Sequence, residues 1–208
     1  NIYFYKVGLK VGGGALAEWG RRLGIGMPTG VDLSEAAGQL PDPSGTHGTV
    51  NLSIGQGALL CTPLQVANLM ALVANGGRLY TPHFLHHQVQ AGGEVDLYEP
   101  EHRKVDIRSD VLAAVRQGMR QVTQTGTASR AELAKYRVAG KTGTAQTGRR
   151  DENDRKVYHA WFAGYAPWDE PKLAFAVVNE HTYLHGGDAA PIVHEFLWRV
   201  WEEVEEME

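Results

Sequence analysis

The sequence of 208 residues predicts an α+β fold in which an antiparallel sheet is flanked by helices. Three strand-like runs follow one another closely after residue 135, and their short connections favour antiparallel pairing, because a parallel crossover needs about a dozen residues or more. Segments with apolar residues at helical spacing lie on both sides of these runs. We expect one domain, with a mostly helical and loop region over residues 1–135 and the three strands and a closing helix over 136–208.

The first part of the chain is predicted to be helical around a long loop. Glycines 12–14 separate two short helices, of which the first is expected to be buried. Residues 23–52 are rich in Gly and Pro and are expected to form a long ordered loop. A core helix is predicted over residues 62–74, because Thr62 can cap it and Gln65 can close a capping box.

The elements that follow are predicted from the alternation of apolar and polar residues and from apolar residues at helical spacing. A β-hairpin is predicted within residues 78–107, and a helix is predicted to begin with Ser109 as its cap and to end at residues 125–128. The three strands are predicted at 136–146, 158–166 and 173–180. The charged run over residues 149–156 is expected to be a solvated hairpin tip. An amphipathic helix is predicted from Asp188 onward.

Composition excludes some classes of function. The formal net charge is −4, and no cluster of Lys and Arg offers the positive surface that nucleic-acid binding requires, so nucleic acid is not an expected partner. The single cysteine, Cys61, rules out an intrachain disulfide. No apolar stretch approaches the roughly 20 residues that span a bilayer. The chain starts at Asn1 without an initiator Met, and we expect it to be an internal piece of a longer protein.

The most informative stretch is Gly140 to Gln146, which contains a Lys-Thr-Gly triplet. On a strand, Thr142 and Thr144 project to the same face, and Gly143 between them lets a ligand backbone come close. Two hydroxyls and the ammonium of Lys141 could then hold a carboxylate. Strict alternation points Lys141 away from Thr142, so the lysine must curl around an edge strand. The alternative is a surface hairpin that leaves Lys141 in water.

Beyond the triplet, the chain resembles the transpeptidase domain of class B penicillin-binding proteins of the elongation type, from Tyr3 to about Leu197. The segments that carry the resemblance are Tyr3–Gly8, Leu23–Gly26, Thr29–Leu33, Asn51–Gly57, Thr62–Gln65, Asn75–Gly77 and Ala139–Gln146. The resemblance implies the penicillin-binding and serine β-lactamase-like fold.

The resemblance also implies a function. The expected reaction is serine acyl transfer on peptidoglycan stem peptides that end in D-Ala-D-Ala, with β-lactam antibiotics as inhibitors and with no metal or organic cofactor. The parent protein would be anchored in the cytoplasmic membrane, hold its catalytic domain in the periplasm or on the outer side, and work beside a membrane glycosyltransferase.

Site residues are implied position by position. Residues 141–143 match the third motif of the family, the backbone N–H of Thr144 would be an oxyanion donor, and the hydroxyls of Thr142 and Thr144 would grip the substrate carboxylate. Ala145 and Gln146 would continue the substrate-binding strand. Asn1 would be the last residue of the family's Ser-x-Asn motif.

The sequence departs from the family in its first motif, Ser-x-x-Lys. Ser34, Ser53 and Ser129 all lack a Lys three positions later, so we expect the nucleophile to lie in a missing N-terminal half of the same protein and this chain alone not to be acylated by penicillin. Two other classes stay open. A serine β-lactamase or β-lactam sensor domain shares the triplet but is not expected to carry the segments 53–57 and 62–65. A non-catalytic interaction module is the second alternative.

Two groups of residues raise the possibility of a metal site: His83, His86 and His87, and His181 with His185 and Asp188. Adjacent residues such as His86 and His87 would face opposite sides of a strand, which disfavours a closed site. We therefore predict no metal.

Overall fold

A computed structural model describes residues 1–183 and 186–207 of the chain. In this part of the chain the helices are α1 (Ile2–Val11), α2 (Gly13–Arg22), α3 (Gly45–Leu52), α4 (Pro63–Ala74), α5 (Ser109–Gln124) and α6 (Ala190–Glu206). The strands are β1 (Arg78–Tyr80), β2 (His87–Val89), β3 (Val95–Leu97), β4 (His102–Lys104), β5 (Ala139–Arg150), β6 (Lys156–Ala166) and β7 (Leu173–Thr182).

The main sheet has the order β5-β6-β7, and both of its strand pairs are antiparallel. The predicted α+β fold and the predicted direction of pairing are therefore confirmed. The first strand starts later than predicted, at Ala139, because a short 3₁₀ helix occupies Leu133–Tyr136. Arg137 follows with a φ of 53°, and this left-handed residue turns the chain into the sheet.

Both faces of this sheet are covered by helices. On one face, Phe162 of β6 packs with Val193 and Leu197 of α6 in a cluster of buried side chains. On the opposite face, Tyr165 of β6 packs with Leu72 of α4 in a second cluster, which also includes Met119 of α5. The sheet therefore lies between α6 and the pair α4 and α5, and the alternation of β6 supplies both cores.

Two hairpin-like pairs are nested between α4 and α5, where the sequence predicts one hairpin. β2 pairs with β3, and β1 pairs with β4 around them, both in the antiparallel direction. The outer pair carries Leu79, which packs against the α4–α5 core, whereas all residues of β2 and β3 are exposed.

The first two helices are separated at Gly12, whose φ of 88° ends α1 and starts α2, as predicted. The expectation that α1 is buried is wrong, because Tyr3 and Phe4 are 71% and 58% exposed. The helix instead makes its closest approach through Gly8, where an added Cβ would lie 2.3 Å from the Cβ of Ser53. The glycine face, rather than the aromatic one, packs against the end of α3.

The long Gly- and Pro-rich segment holds a helix that the sequence does not predict. α3 begins after the extended Ser44 and packs against α1 and α2, so tertiary packing outweighs its weak intrinsic helix propensity. The predicted capping box is confirmed: the Thr62 hydroxyl accepts from the Gln65 N–H, and the Gln65 side chain accepts from the Thr62 N–H. Gln65 also donates to the carbonyls of Met27 and Ala37, which fixes the loop on α4.

The last helix is amphipathic, as predicted, and it extends to Glu206 after a 3₁₀ turn over Gly186–Ala189. Of the helices within residues 1–183 and 186–207, none combines the length and the apolar character that a bilayer crossing requires.

Candidate active site

The Lys-Thr-Gly triplet lies on β5, at the edge of the main sheet. Lys141 pairs across to Ala163, and Gly143 pairs to Trp161. The ammonium of Lys141 donates to the carbonyl of Thr142, the next residue on the same strand. The side chain therefore curls back over the strand edge, and β5 has no second neighbouring strand among the described residues. The alternative of a surface turn is wrong.

The stem of Lys141 borders an apolar groove of about 370 Å³ between α4 and α5. The other residues that line the groove are Leu69, Met70, Val73, Val115, Gly118, Met119 and Val122. Although part of Lys141 is exposed, desolvation beside these side chains lowers the pKa of its ammonium. A partly desolvated cation attracts an anion more strongly than a fully hydrated one does.

Thr142 is buried, and its hydroxyl lies 2.8 Å from the hydroxyl of Thr127 in the loop that follows α5. One turn earlier, the hydroxyl of Thr123 donates to the carbonyl of Val138 at 2.6 Å. These contacts attach the end of α5 to the start of β5. They place two hydroxyls together at the strand that carries Lys141.

The carbonyl of Thr144 faces away from β6, because it accepts a hydrogen bond from the side chain of Gln56 at 2.9 Å. The backbone groups of a strand alternate in direction, so those of Thr142 and Gln146 share this outer edge. The contacts of both residues fit an outward direction. The carbonyl of Thr142 accepts from the ammonium of Lys141, and the N–H of Gln146 donates to Gln56 at 3.3 Å. Ala145, between them, is half-buried and pairs across to His159. The outward backbone groups of Thr142, Thr144 and Gln146 thus lie along one edge, whereas those of Gly143 and Ala145 face β6.

The structure shows no direct link between Asn1 and β5 among the contacts described here. It is exposed, it precedes α1, and its carbonyl accepts from the N–H of Tyr5 at 3.0 Å. The strongest contacts of α1 are with α3 and α2 rather than with β5. The structure brings together Lys141 and its neighbours on the strand, whereas the place of Asn1 in the site stays a prediction.

The histidines form contacts of other kinds. Among residues 1–183 and 186–207, no group of three or more His, Cys, Asp and Glu side chains is arranged to hold a metal ion. His86 and His87 do touch, with Nδ1 atoms 3.0 Å apart at the exposed start of β2. His159 accepts from the N–H of His181 at 3.2 Å, next to the end of β7. His185 lies outside the described residues.

Sequence reasoning gave no role to two residues that meet β5, Gln56 and Thr127. Their contacts with the strand span separations of 88 and 15 positions, so no local pattern could reveal them. The only available signal was that Gln56 lies in a segment that resembles the family. Ser53, three positions earlier, donates to the carbonyl of Val50 at 2.7 Å and has a local structural role.

The chain is similar in sequence to known proteins. The family model described as the penicillin-binding protein transpeptidase domain matches residues 1–197. The chain is 34% identical to the peptidoglycan D,D-transpeptidase MrdA of Haemophilus influenzae, over 95% of this chain and 34% of that protein. It is 35% identical to the protein of the same name from Acinetobacter baumannii, over 92% of this chain and 32% of that protein.

The chain is also similar in fold to solved structures. The chain is similar to penicillin-binding protein PBP2 of Helicobacter pylori in its complex with MreC, with a TM-score of 0.79, 32% identity, and coverage of 97% of this chain and 38% of that one. It is similar to Pseudomonas aeruginosa PBP2 in complex with WCK 5153, with a TM-score of 0.79, 30% identity, and coverage of 100% and 48%. The chain spans about a third of the length of the curated relatives it matches.

Proposed function

Because this chain belongs to the penicillin-binding protein transpeptidase domain family, we propose that it forms the substrate-gripping part of a peptidoglycan D,D-transpeptidase. The parent protein cross-links stem peptides that end in D-Ala-D-Ala, and β-lactam antibiotics inhibit it. The serine nucleophile comes from a part of that protein outside these 208 residues, since no serine here is followed by Lys at the third position.

The observation that carries the proposal is the outer edge of β5. A partly desolvated ammonium, from Lys141, lies on the outer strand edge of Thr142 and Thr144, whose carbonyls already accept from Lys141 and Gln56 and can each accept a second hydrogen bond. An extended peptide can add itself to such an edge through main-chain hydrogen bonds, and its terminal carboxylate then meets the cation.

Each site residue has a role in this proposal. Lys141 and the hydroxyls of Thr142 and Thr144 bind the terminal carboxylate, and Gly143 allows close approach of the ligand. The N–H of Thr144 donates to the developing oxyanion. Ala145 and Gln146 continue the strand beyond Thr144, where Gln56 binds its outer edge, and support the substrate-binding positions before them. Asn1 contributes an amide by its match to the family's second motif.

The reaction consists of two acyl transfers. The serine oxygen bonds to the penultimate carbonyl carbon, the bond to the terminal D-Ala nitrogen breaks, and the serine proton ends on that departing amine. An amine of a neighbouring stem then bonds to the same carbonyl carbon, the bond to the serine oxygen breaks, and the proton that the amine loses returns to that oxygen. A nucleophile, a base and oxyanion donors suffice, so the proposal requires no metal or organic cofactor.

We extend the proposal to the setting of the parent protein. By the likeness to the PBP2 enzymes, it is anchored in the cytoplasmic membrane, exposes this domain to the periplasm or the outer side, and works beside a membrane glycosyltransferase.

Labelling of the full-length parent with a fluorescent penicillin tests the function. The wild type is expected to become covalently labelled, and Lys141→Ala is expected to abolish labelling while the thermal transition remains. Lys156→Ala, at an exposed position on β6, is the matched control and should label normally. Unchanged labelling kinetics in Lys141→Ala, or an unlabelled wild type, would refute the proposal.

A further inference from the structure

The side-chain amide of Gln56 makes two hydrogen bonds to the outer edge of β5. Its Nε2 donates to the carbonyl of Thr144 at 2.9 Å, and its Oε1 accepts from the N–H of Gln146 at 3.3 Å. The two strand groups that it binds belong to residues two positions apart, and a neighbouring strand would bind the same outward groups of this edge. The amide of Gln56 therefore satisfies one outward carbonyl and one outward N–H of this edge, which a neighbouring strand would otherwise satisfy.

The backbone beneath this amide is held firmly. The N–H of Gln56 donates to the carbonyl of Asn51 at the end of α3, at 2.9 Å. Gly55 and Gly57 on either side have φ values of 71° and 81°, so the tight loop requires conformations that favour glycine. A Cβ on Gly57 would also lie only 3.2 Å from the Cβ of Asn51.

The same loop is attached to the first helix. Ser53 starts this turn and packs closely against Gly8 of α1. A continuous path therefore runs from α1 through α3 to Gln56, and from Gln56 by hydrogen bonds to β5. The helical unit formed by α1, α2 and α3 and the strand that carries Lys141 are joined at this point.

We propose that Gln56 is a positioning residue, which holds the substrate-binding edge of β5 in register with the α1–α3 unit and ends the stretch of edge that a ligand can occupy at Thr144. This inference rests on the proposed function. Gln56 acts through Thr144: by fixing the carbonyl of that residue, it limits rotation of the strand at the position whose N–H faces the developing oxyanion. An occupied edge beyond Thr144 also prevents longer strand pairing.

The test measures acylation of the full-length parent by a fluorescent penicillin, with the initial dissociation constant separated from the acylation rate constant. Gln56→Leu keeps the apolar stem and removes both hydrogen bonds. We expect its acylation rate constant to fall by about tenfold or more, because a small misplacement of catalytic groups is costly, and its dissociation constant to change by less than about twofold. Gln88→Leu, at an exposed position on β2, is the control and should match the wild type.

A second variant separates positioning from simple support of the fold. Gln56→Glu keeps the acceptor for the Gln146 N–H but turns the donor to Thr144 into a repelling oxygen. Its protonated form can donate again, so its rate constant relative to the wild type should recover as the pH falls from about 7 towards about 5, nearer the ordinary carboxyl pKa.

The outcomes can be told apart. If the wild type is not labelled, the proposed function fails. If the wild type is labelled, and both Gln56 variants acylate at the wild-type rate or Gln56→Glu shows no recovery at lower pH, the positioning role is wrong. Loss of the thermal transition in Gln56→Leu leaves the Gln56→Glu pH profile as the deciding measurement.

Discussion

The hydroxyl oxygens of Thr127 and Thr142 lie 2.8 Å apart and join the loop after α5 to the strand that carries Lys141. Each threonine hydroxyl can donate one hydrogen bond and accept two. When Thr127 donates to Thr142, the proton of Thr142 can point along the outer edge of β5 towards a bound carboxylate. Thr127 would then orient a ligand-binding hydroxyl.

Loss of the Thr127 hydroxyl should weaken ligand binding. Thr127→Val keeps the shape of the side chain, and we expect the dissociation constant of the full-length parent for penicillin to rise by about fivefold to tenfold, which corresponds to a hydrogen bond of about 1 kcal/mol. Thr127→Ser should remain close to the wild type, because it keeps the hydroxyl. A Val variant that binds as tightly as the wild type would contradict this role.

The site could be predicted from the sequence only where it is local. The alternation of a strand is a local property, and it correctly required Lys141 to curl over an edge strand. The approach of Thr127 to Thr142, and of Gln56 to Thr144, depends on how α5 and the loop after α3 pack against β5. Packing of this kind leaves no periodic signal in the sequence.

The partly desolvated ammonium of Lys141 should lower the stability of the folded state. Desolvation lowers the pKa of its ammonium below the ordinary 10.5, so the folded state binds fewer protons than the unfolded state between these two pKa values. The cost of holding the charge is fully present at lower pH and declines as the pH rises through this interval. Lys141→Met should therefore melt above the wild type at neutral pH.

Thermal denaturation of the full-length parent as a function of pH checks this prediction. The advantage of Lys141→Met should shrink as the pH approaches 10.5. Lys156→Met, on an exposed strand end, should show no such trend. A Lys141→Met variant that melts below the wild type at every pH would mean that the hydrogen bond from Lys141 to the Thr142 carbonyl outweighs the desolvation.

In the fold as well, features formed by residues close in sequence could be predicted, whereas features set by tertiary packing could not. The capping box of Thr62 and Gln65 is formed by residues three positions apart, and the sequence predicts it together with the helix that follows. The helix α3 contains two glycines and lacks apolar residues at helical spacing. It forms because it packs against α1 and α2. The exposure of Tyr3 likewise depends on which face of α1 meets Ser53, and that face is chosen by Gly8.

Glycines of the main sheet should differ in their tolerance of a methyl group. A Cβ on Gly164 would lie 2.3 Å from the carbonyl oxygen of Ala139, a backbone atom that cannot move without disturbing the strand pair. A Cβ on Gly143 would lie 3.2 Å from the Cβ of Trp161, which requires only a small shift. We expect Gly164→Ala to lower the free energy of unfolding by about 1–3 kcal/mol or more, and Gly143→Ala by clearly less.

Chemical denaturation of the full-length variants measures these differences. Gly143→Ala should still weaken penicillin labelling, because the glycine lies between the two threonines that would hold the ligand. Equal losses of stability for Gly143→Ala and Gly164→Ala would contradict the order derived from the backbone contacts.

The tip of the β5–β6 hairpin should lose its order in acid. Partial burial acts to raise the pKa of Asp151, but hydrogen bonds from Arg155, Tyr183 and Asn153 outweigh it and lower that pKa from 3.8 to about 2. A depressed carboxyl pKa means that the ion stabilises the folded state above the unfolded value and that this stabilisation is lost as the pH falls through the folded value. The tip should therefore stay ordered at pH 3.8 and loosen as the pH approaches about 2.

Backbone amide chemical shifts give the measurement, because the N–H groups of Asn153 and Arg155 donate to Oδ1 of Asp151 at 2.9 and 2.8 Å. Both signals should titrate together with a midpoint near 2. In Asp151→Asn they should be shifted already at neutral pH and should not titrate, since the amide carries no charge to lose. A midpoint at the ordinary aspartate value would show that the carboxylate is not held by these donors, and that the tip is ordered by the pairing of β5 with β6 instead.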